Sequence, residues 1–145
     1  MKAIKVVEAK KAEIQDVAVP KLRDDYVLVK VDAVALNPTD WKHIDYLANP
    51  GATVGCDYAG TVEEVGSAVQ KKFSKGDRIA GFSHGVNSAN KEDGCFAQYA
   101  LAKGDVQMKV PESLSTEDAA TLGVGVTTVG QGKQQQQDLH SKAEC

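Results

Sequence analysis

Hydrophobic and polar positions alternate along most of the chain with a period of two, as in strands that bury one face. The clearest run spans residues 26–36. There Val27, Val29, Val31, Ala33 and Ala35 point one way, and Tyr26, Leu28, Lys30 and Asp32 the other. Shorter runs at 2–7 and 12–17, separated by polar residues 8–11, predict a hairpin. Residues 58–66, 77–82, 95–102 and 106–110 read as further strands. Lys75-Gly76-Asp77 turns the chain into the second of these, and Pro111 closes the last.

Two segments switch to a helical spacing. Asn37 can cap a helix, Pro38 suits its first turn, and Asp40 places a carboxylate where the helix N-terminus favours one. Trp41, Ile44 and Leu47 then share a face, and Asn49-Pro50-Gly51 stops the segment. A second helix starts near Ser115, with oxygen acceptors on Thr116, Glu117 and Asp118, and runs through Ala119, Ala120 and Leu122. Many short strands, glycine turns and two short helices predict a mainly β fold, a compact barrel. No internal repeat is present. From Gln131 the chain carries a glutamine tract and one large apolar residue, Leu139. The expected division is a folded domain over residues 1–130 and a disordered Gln-rich tail over 131–145.

Composition narrows the function classes. Apolar residues make up 42% and charged residues 26% of the 145, with a net charge of −3 and no basic block. Nucleic acid therefore meets no electrostatic footprint, and no stretch approaches the roughly 18 apolar residues of a membrane span. The start, residues 1–7, is too short and too charged for a signal peptide, so a cytoplasmic location is expected. Cys56, Cys95 and Cys145 are widely spaced and form no C-x-x-C pair, which argues for free thiols and against a redox motif or a zinc knuckle.

Five segments in order carry a family resemblance. They are Val34-Ala35-Leu36-Asn37-Pro38-Thr39-Asp40-Trp41-Lys42, Val54-Gly55-Cys56-Asp57-Tyr58-Ala59-Gly60-Thr61-Val62, Gly76-Asp77-Arg78-Ile79-Ala80-Gly81, Gly94-Cys95-Phe96-Ala97-Gln98-Tyr99 and Ala119-Ala120-Thr121-Leu122. With these, residues 1–132 resemble the medium-chain dehydrogenases/reductases, and within them the fungal zinc-binding-oxidoreductase-like proteins and trans-acting enoyl reductases. The resemblance implies a GroES-like β-barrel followed, in full-length members, by a Rossmann domain that holds the dinucleotide. Gly123, Gly125, Gly130 and Gly132 do not supply that domain's fingerprint, because they follow a helix instead of a strand. The shift at Lys133 to a glutamine tract predicts a chain cut short before the second domain, and inactive alone.

The resemblance also bears on chemistry. Zinc-dependent relatives place a cysteine where Asn37 stands and a histidine–glutamate pair where Cys56-Asp57 stands. Three protein ligands and an open position are not available here, so no metal is expected, and Cys56 reads as a small buried residue. Zinc-free relatives use NADPH to reduce an activated carbon–carbon double bond, of enoyl or quinone type, in fungal secondary metabolism. By resemblance, Thr39, Asp40, Trp41 and Lys42 line the cofactor; ordinary capping by Asn37 and Asp40, with Trp41 in the core, explains the same residues. Thr128, Val129, Gly130 and Gln131 border the substrate by resemblance, or form a linker of small residues. His43 could donate a proton or be structural; His84 and His140 have no assigned role; Tyr58 and Tyr99 read as packing residues. Expected partners are a small-molecule or carrier-bound enoyl substrate, a second copy of the chain, or a polyketide synthase. The alternative is a non-enzymatic GroES-like module that associates with an intact reductase or synthase.

Overall fold

The computed structural model describes residues 1–143, and the side chains of residues 1–135. Seven strands and three helices follow in the order β1 (Lys2–Glu8), β2 (Lys11–Asp16), β3 (Tyr26–Ala35), α1 (Pro38–Tyr46), β4 (Asp57–Val65), β5 (Arg78–Phe82), β6 (Tyr99–Lys103), β7 (Met108–Lys109), α2 (Thr116–Ala120) and α3 (Gly123–Ala143). Strands β6-β3-β4-β5-β7 form one antiparallel sheet, and β1-β2 a separate hairpin. Two irregularities in the β3–β4 register, at Leu28/Val29 and Val31/Ala33, bend the two longest strands. The hairpin closes the structure into a barrel. The Ile4 N–H donates to the Phe96 carbonyl at 2.8 Å, and the Ile4 carbonyl accepts from the Val54 N–H at 3.0 Å.

The expected mainly β barrel is present, and α1 and α2 begin at the predicted caps. Ser115 accepts from the Asp118 N–H at the start of α2, as its position implies. Three elements differ from the expectation. The strand expected over 95–102 starts only at Tyr99, because residues 96–98 pair with β1 and the Cys95 N–H donates to the Gly55 carbonyl. The strand expected over 106–110 shrinks to two residues behind a 3₁₀ turn at Gly104–Val106. The third is α3, which runs through the segment read as linker and tail. Each interior glycine costs a helix about 1 kcal/mol, so Gly125, Gly130 and Gly132 argued against one. The helix is nevertheless anchored at its first turn and continues through lysine and glutamines, which are fair helix formers. Every described side chain from Thr128 to Gln135 is exposed.

The core follows the alternation. Val27 and Val29 of β3 meet Tyr58 and Val62 of β4, Ile79 of β5, and Ala100 and Ala102 of β6. Leu28 is buried as well, so the first turn of β3 is covered on both faces. A second cluster joins Val6, Ala52, Val54 and Val86 to Ile44 and Ala48, which seats α1 on the hairpin. A third packs Ala119 and Ala120 of α2 on Ala59 and Ala80.

One polar pair sits inside this core. The Tyr58 hydroxyl donates to Gln107 Oε1 at 2.9 Å, and Gln107 Nε2 donates to the Lys103 carbonyl at 3.0 Å. Gly81 leaves room for that amide, since a Cβ there would collide with Gln107 Oε1. Removing the hydroxyl leaves a buried acceptor without a donor. Tyr58→Phe should therefore lower stability by about 1–3 kcal/mol in urea unfolding; an unchanged midpoint would show that the pair contributes nothing.

Candidate functional site

The N-terminus of α1 is built by its own sequence. Asn37 sits in extended backbone as the cap, Pro38 occupies the first turn, and the Asn37 N–H donates to Asp40 Oδ2 at 2.7 Å. That bond draws Asp40 inward, to 6% exposure, although it lies among the residues expected to meet cofactor. Thr39, Trp41 and Lys42 remain at the surface. Trp41 is half-exposed, so the reading that packed it in the core does not hold. The Lys42 ammonium lies 5.6 Å from the Trp41 ring centroid, and the Tyr46 ring centroid lies 6.3 Å from it. His43 Nδ1 is 2.7 Å from the Thr39 carbonyl and 2.9 Å from the Thr39 hydroxyl, so this nitrogen serves the helix.

Beneath α1 lies Asp57, the first residue of β4 and 1% exposed. Its Oδ2 accepts from the Asn37 side-chain amide at 2.9 Å, and its Oδ1 from the Val124 N–H in the first turn of α3 at 2.7 Å. Gly123 permits the second bond. A Cβ there would collide with both Asp57 Oδ1 and the Gly81 carbonyl. Burial pushes the Asp57 carboxyl above its ordinary range. The Asn37 and Val124 donors pull it back, and the Asp40 charge raises it again.

The two cysteines beside this carboxylate are buried, as expected for Cys56. Burial pushes the Cys56 thiol up to about 12, the Gly85 N–H opposes that rise, and the charges of Asp40 and Asp57 add to it. Cys95 donates its thiol to the Asp57 carbonyl at 3.3 Å and is also pushed up, chiefly by burial. Among the described residues, no group of three or more His, Cys, Asp or Glu is arranged to hold a metal ion.

Thr128, Val129, Gly130 and Gln131 lie on the exposed part of α3, one turn and more beyond Val124. The Thr128 hydroxyl donates back to the Val124 carbonyl at 2.7 Å, while Val129 is 60% exposed and Gly130 faces open space. The structure thus brings the starts of the two helices that carry the candidate segments to one carboxylate, and leaves His84 apart in the loop after β5. The side chain of His140 lies outside the described residues. Asp57 as the link between the helices is not among the sequence expectations, where Cys56 reads as a small buried residue and Asp57 enters only in the comparison with zinc ligands. The available signal was a charged residue between Cys56 and Tyr58 in an otherwise apolar run.

A thiol raised to about 12 is ionised in only about one part in 10⁴ at pH 8. Iodoacetamide should accordingly alkylate Cys56 and Cys95 at least about a hundredfold more slowly in the native protein than in urea. Peptide mass mapping checks this, and alkylation of either at the unfolded rate would contradict the burial described.

Residues 23–112 match the alcohol dehydrogenase GroES-like domain. The chain is 60% identical over 119 residues to the trans-enoyl reductase TOXD of Cochliobolus carbonum, covering 82% of this chain and 40% of that protein. It is 59% identical over 121 residues to the trans-enoyl reductase resD of Aspergillus sclerotiorum, covering 83% and 34%. The quinone oxidoreductase of Coxiella burnetii superposes with a TM-score of 0.77 at 29% identity, over 93% of this chain and 44% of that one. A mycobacterial protein solved in complex with NADPH superposes with a TM-score of 0.71 at 27% identity, over 83% and 37%. The chain spans between a third and two fifths of the two curated relatives. Matched over most of its length by that domain, the chain belongs to the alcohol dehydrogenase GroES-like family of medium-chain dehydrogenases/reductases.

Proposed function

We propose that this chain is the amino-terminal part of a zinc-free, NADPH-dependent reductase of activated carbon–carbon double bonds, acting on an enoyl substrate in fungal secondary metabolism. The observation that carries the proposal is the 60% identity to a trans-enoyl reductase over 119 residues. Bound NADPH supplies a hydride for the β-carbon of the substrate. The chain's own residues supply binding and orientation. Trp41 offers an aromatic face, Lys42 a cation for a phosphate, and Thr39 a hydroxyl, all within the first turns of one helix. Asp40 would repel a phosphate from the same turn, but its carboxylate is turned inward onto the Asn37 N–H. The residues present therefore fit the cofactor's edge.

They do not fit zinc. Asn37 and both oxygens of Asp57 are committed to hydrogen bonds, and the Cys56 thiol is held protonated. Enolate stabilisation in such a site falls to oriented donors, not to a Lewis acid. Among the described residues no helix is long and apolar enough to cross a membrane.

A second reading, a partner module without catalysis, draws on the exposed apolar side chains Leu36, Tyr46, Leu47, Val126 and Val129 around α1 and α3. One experiment separates the two. The 145-residue chain is expected to bind no NADPH at micromolar concentrations, because adenine and pyrophosphate recognition needs many charge-assisted bonds of about 1.5–3 kcal/mol each. Fusing the corresponding remainder of TOXD after Gly132 should give both binding and enoyl reduction. Lys42→Ala in that fusion should weaken NADPH by about tenfold and NADH less. Micromolar NADPH binding by the unfused chain, or an inactive fusion, would overturn the proposal; an inactive but folded fusion that binds a synthase would favour the module.

A further inference from the structure

The two helices that carry the candidate cofactor and substrate edges share one point of attachment. Asp57 stands at the start of the central strand β4, paired with Ala35 of β3 on one side and Phe82 of β5 on the other. Residues 56–60 are all buried, so its backbone is fixed from both sides. From that base its two carboxylate oxygens reach different elements, Asn37 at the cap of α1 and the Val124 N–H at the start of α3. We propose that Asp57 is a positioning residue that holds the cofactor edge on α1 and the substrate edge on α3 in one fixed relation. The proposal rests on the function given above for those edges.

The distribution of other contacts makes the role specific. Helix α1 has a second anchor, because Ile44 and Ala48 pack on the hairpin and the Ile44 carbonyl accepts from the Lys10 N–H at 3.2 Å. Helix α3 is seated at its first turn, where Gly123 lies against the Gly81 carbonyl and Val124 meets Asp57, and its described side chains from Thr128 onward are exposed. Both of these contacts fall at the start of the helix. A carboxylate suits this place because both partners are donors. An asparagine accepts from only one of them and turns its own amide protons toward the other.

The chemistry of the pair supplies its test. In Asp57→Asn the new amide opposes the Asn37 amide, donor against donor. In the double variant Asn37→Asp with Asp57→Asn the roles are exchanged. The side-chain carbonyl at position 57 of that variant still accepts from the Val124 N–H, and the amide beside it donates to the carboxylate at position 37. Amide hydrogen exchange followed by NMR on the 145-residue chain needs neither cofactor nor second domain, so its outcome is independent of whether the proposed reaction is correct. In D57N the backbone amides of Val124 and of residue 37, the latter held by Asp40 within the α1 cap, are expected to exchange about tenfold faster or more, with the β3–β4 ladder unchanged. The exchanged pair should return both to within about threefold of the wild type. Wild-type exchange at Val124 and Asn37 in D57N, a uniform rise that includes the ladder, or failure of the folded double variant to restore them would each overturn the proposal. Should D57N not fold, Gly123→Ala decides. It displaces α3 from an intact Asp57, and faster exchange at both Val124 and Asn37 is expected, whereas an Asn37 amide at the wild-type rate would show that the carboxylate transmits nothing.

Discussion

A carboxylate taken out of water costs several kcal/mol unless its oxygens are met by donors. Asp57 is met twice, by a side-chain amide and by a backbone N–H, and each of these comes from the start of a different helix. The arrangement needs Asn37 as cap, Gly123 without a side chain, and β4 held between two neighbours. Changing any one leaves a buried charge short of a partner. The neighbouring Asp40 sharpens the constraint, since a second buried carboxylate raises the cost of ionising the first.

This constraint explains why α1 divides its residues as it does. Capping draws Asp40 inward and packing draws Ile44 inward, which turns Trp41 and Lys42 to the outside beside the half-buried Thr39. A cation, an aromatic face and a hydroxyl then stand together at the surface, free of the carboxylate that sequence places among them. In the same neighbourhood the cysteine and aspartate at the head of β4 are used for packing and hydrogen bonding. The proposed role of this turn, binding and orienting a cofactor edge, draws on its exposed groups and uses neither the cysteine nor the aspartate.

Much of the framework was legible along the chain because it follows from local rules. The alternation in residues 26–36 identified β3, and Asn37-Pro38 and Ser115 marked the starts of α1 and α2. What escaped depends on contacts distant in sequence. Residues 96–98 pair with β1 nearly a hundred positions earlier, so local alternation overstates the length of β6. Helix α3 opposes its own glycine content and depends on a bond from Val124 to a residue 67 positions away. Asp40 was grouped with its exposed neighbours because a four-residue match carries no information about which side chain turns inward. Asp57 was weighed as a metal donor because spacing shows which residues are adjacent and not which protons they face.

In the proposed function NADPH rests on the exposed turn of α1 once the remainder of such a reductase is present. A crystal structure of the TOXD fusion with NADPH bound tests this most directly. Cofactor atoms are expected in contact with Thr39, Trp41 and Lys42, with Asp57 still bonded to Asn37 and Val124. Cofactor bound with this turn facing solvent, or covered by a protein partner instead, would contradict it.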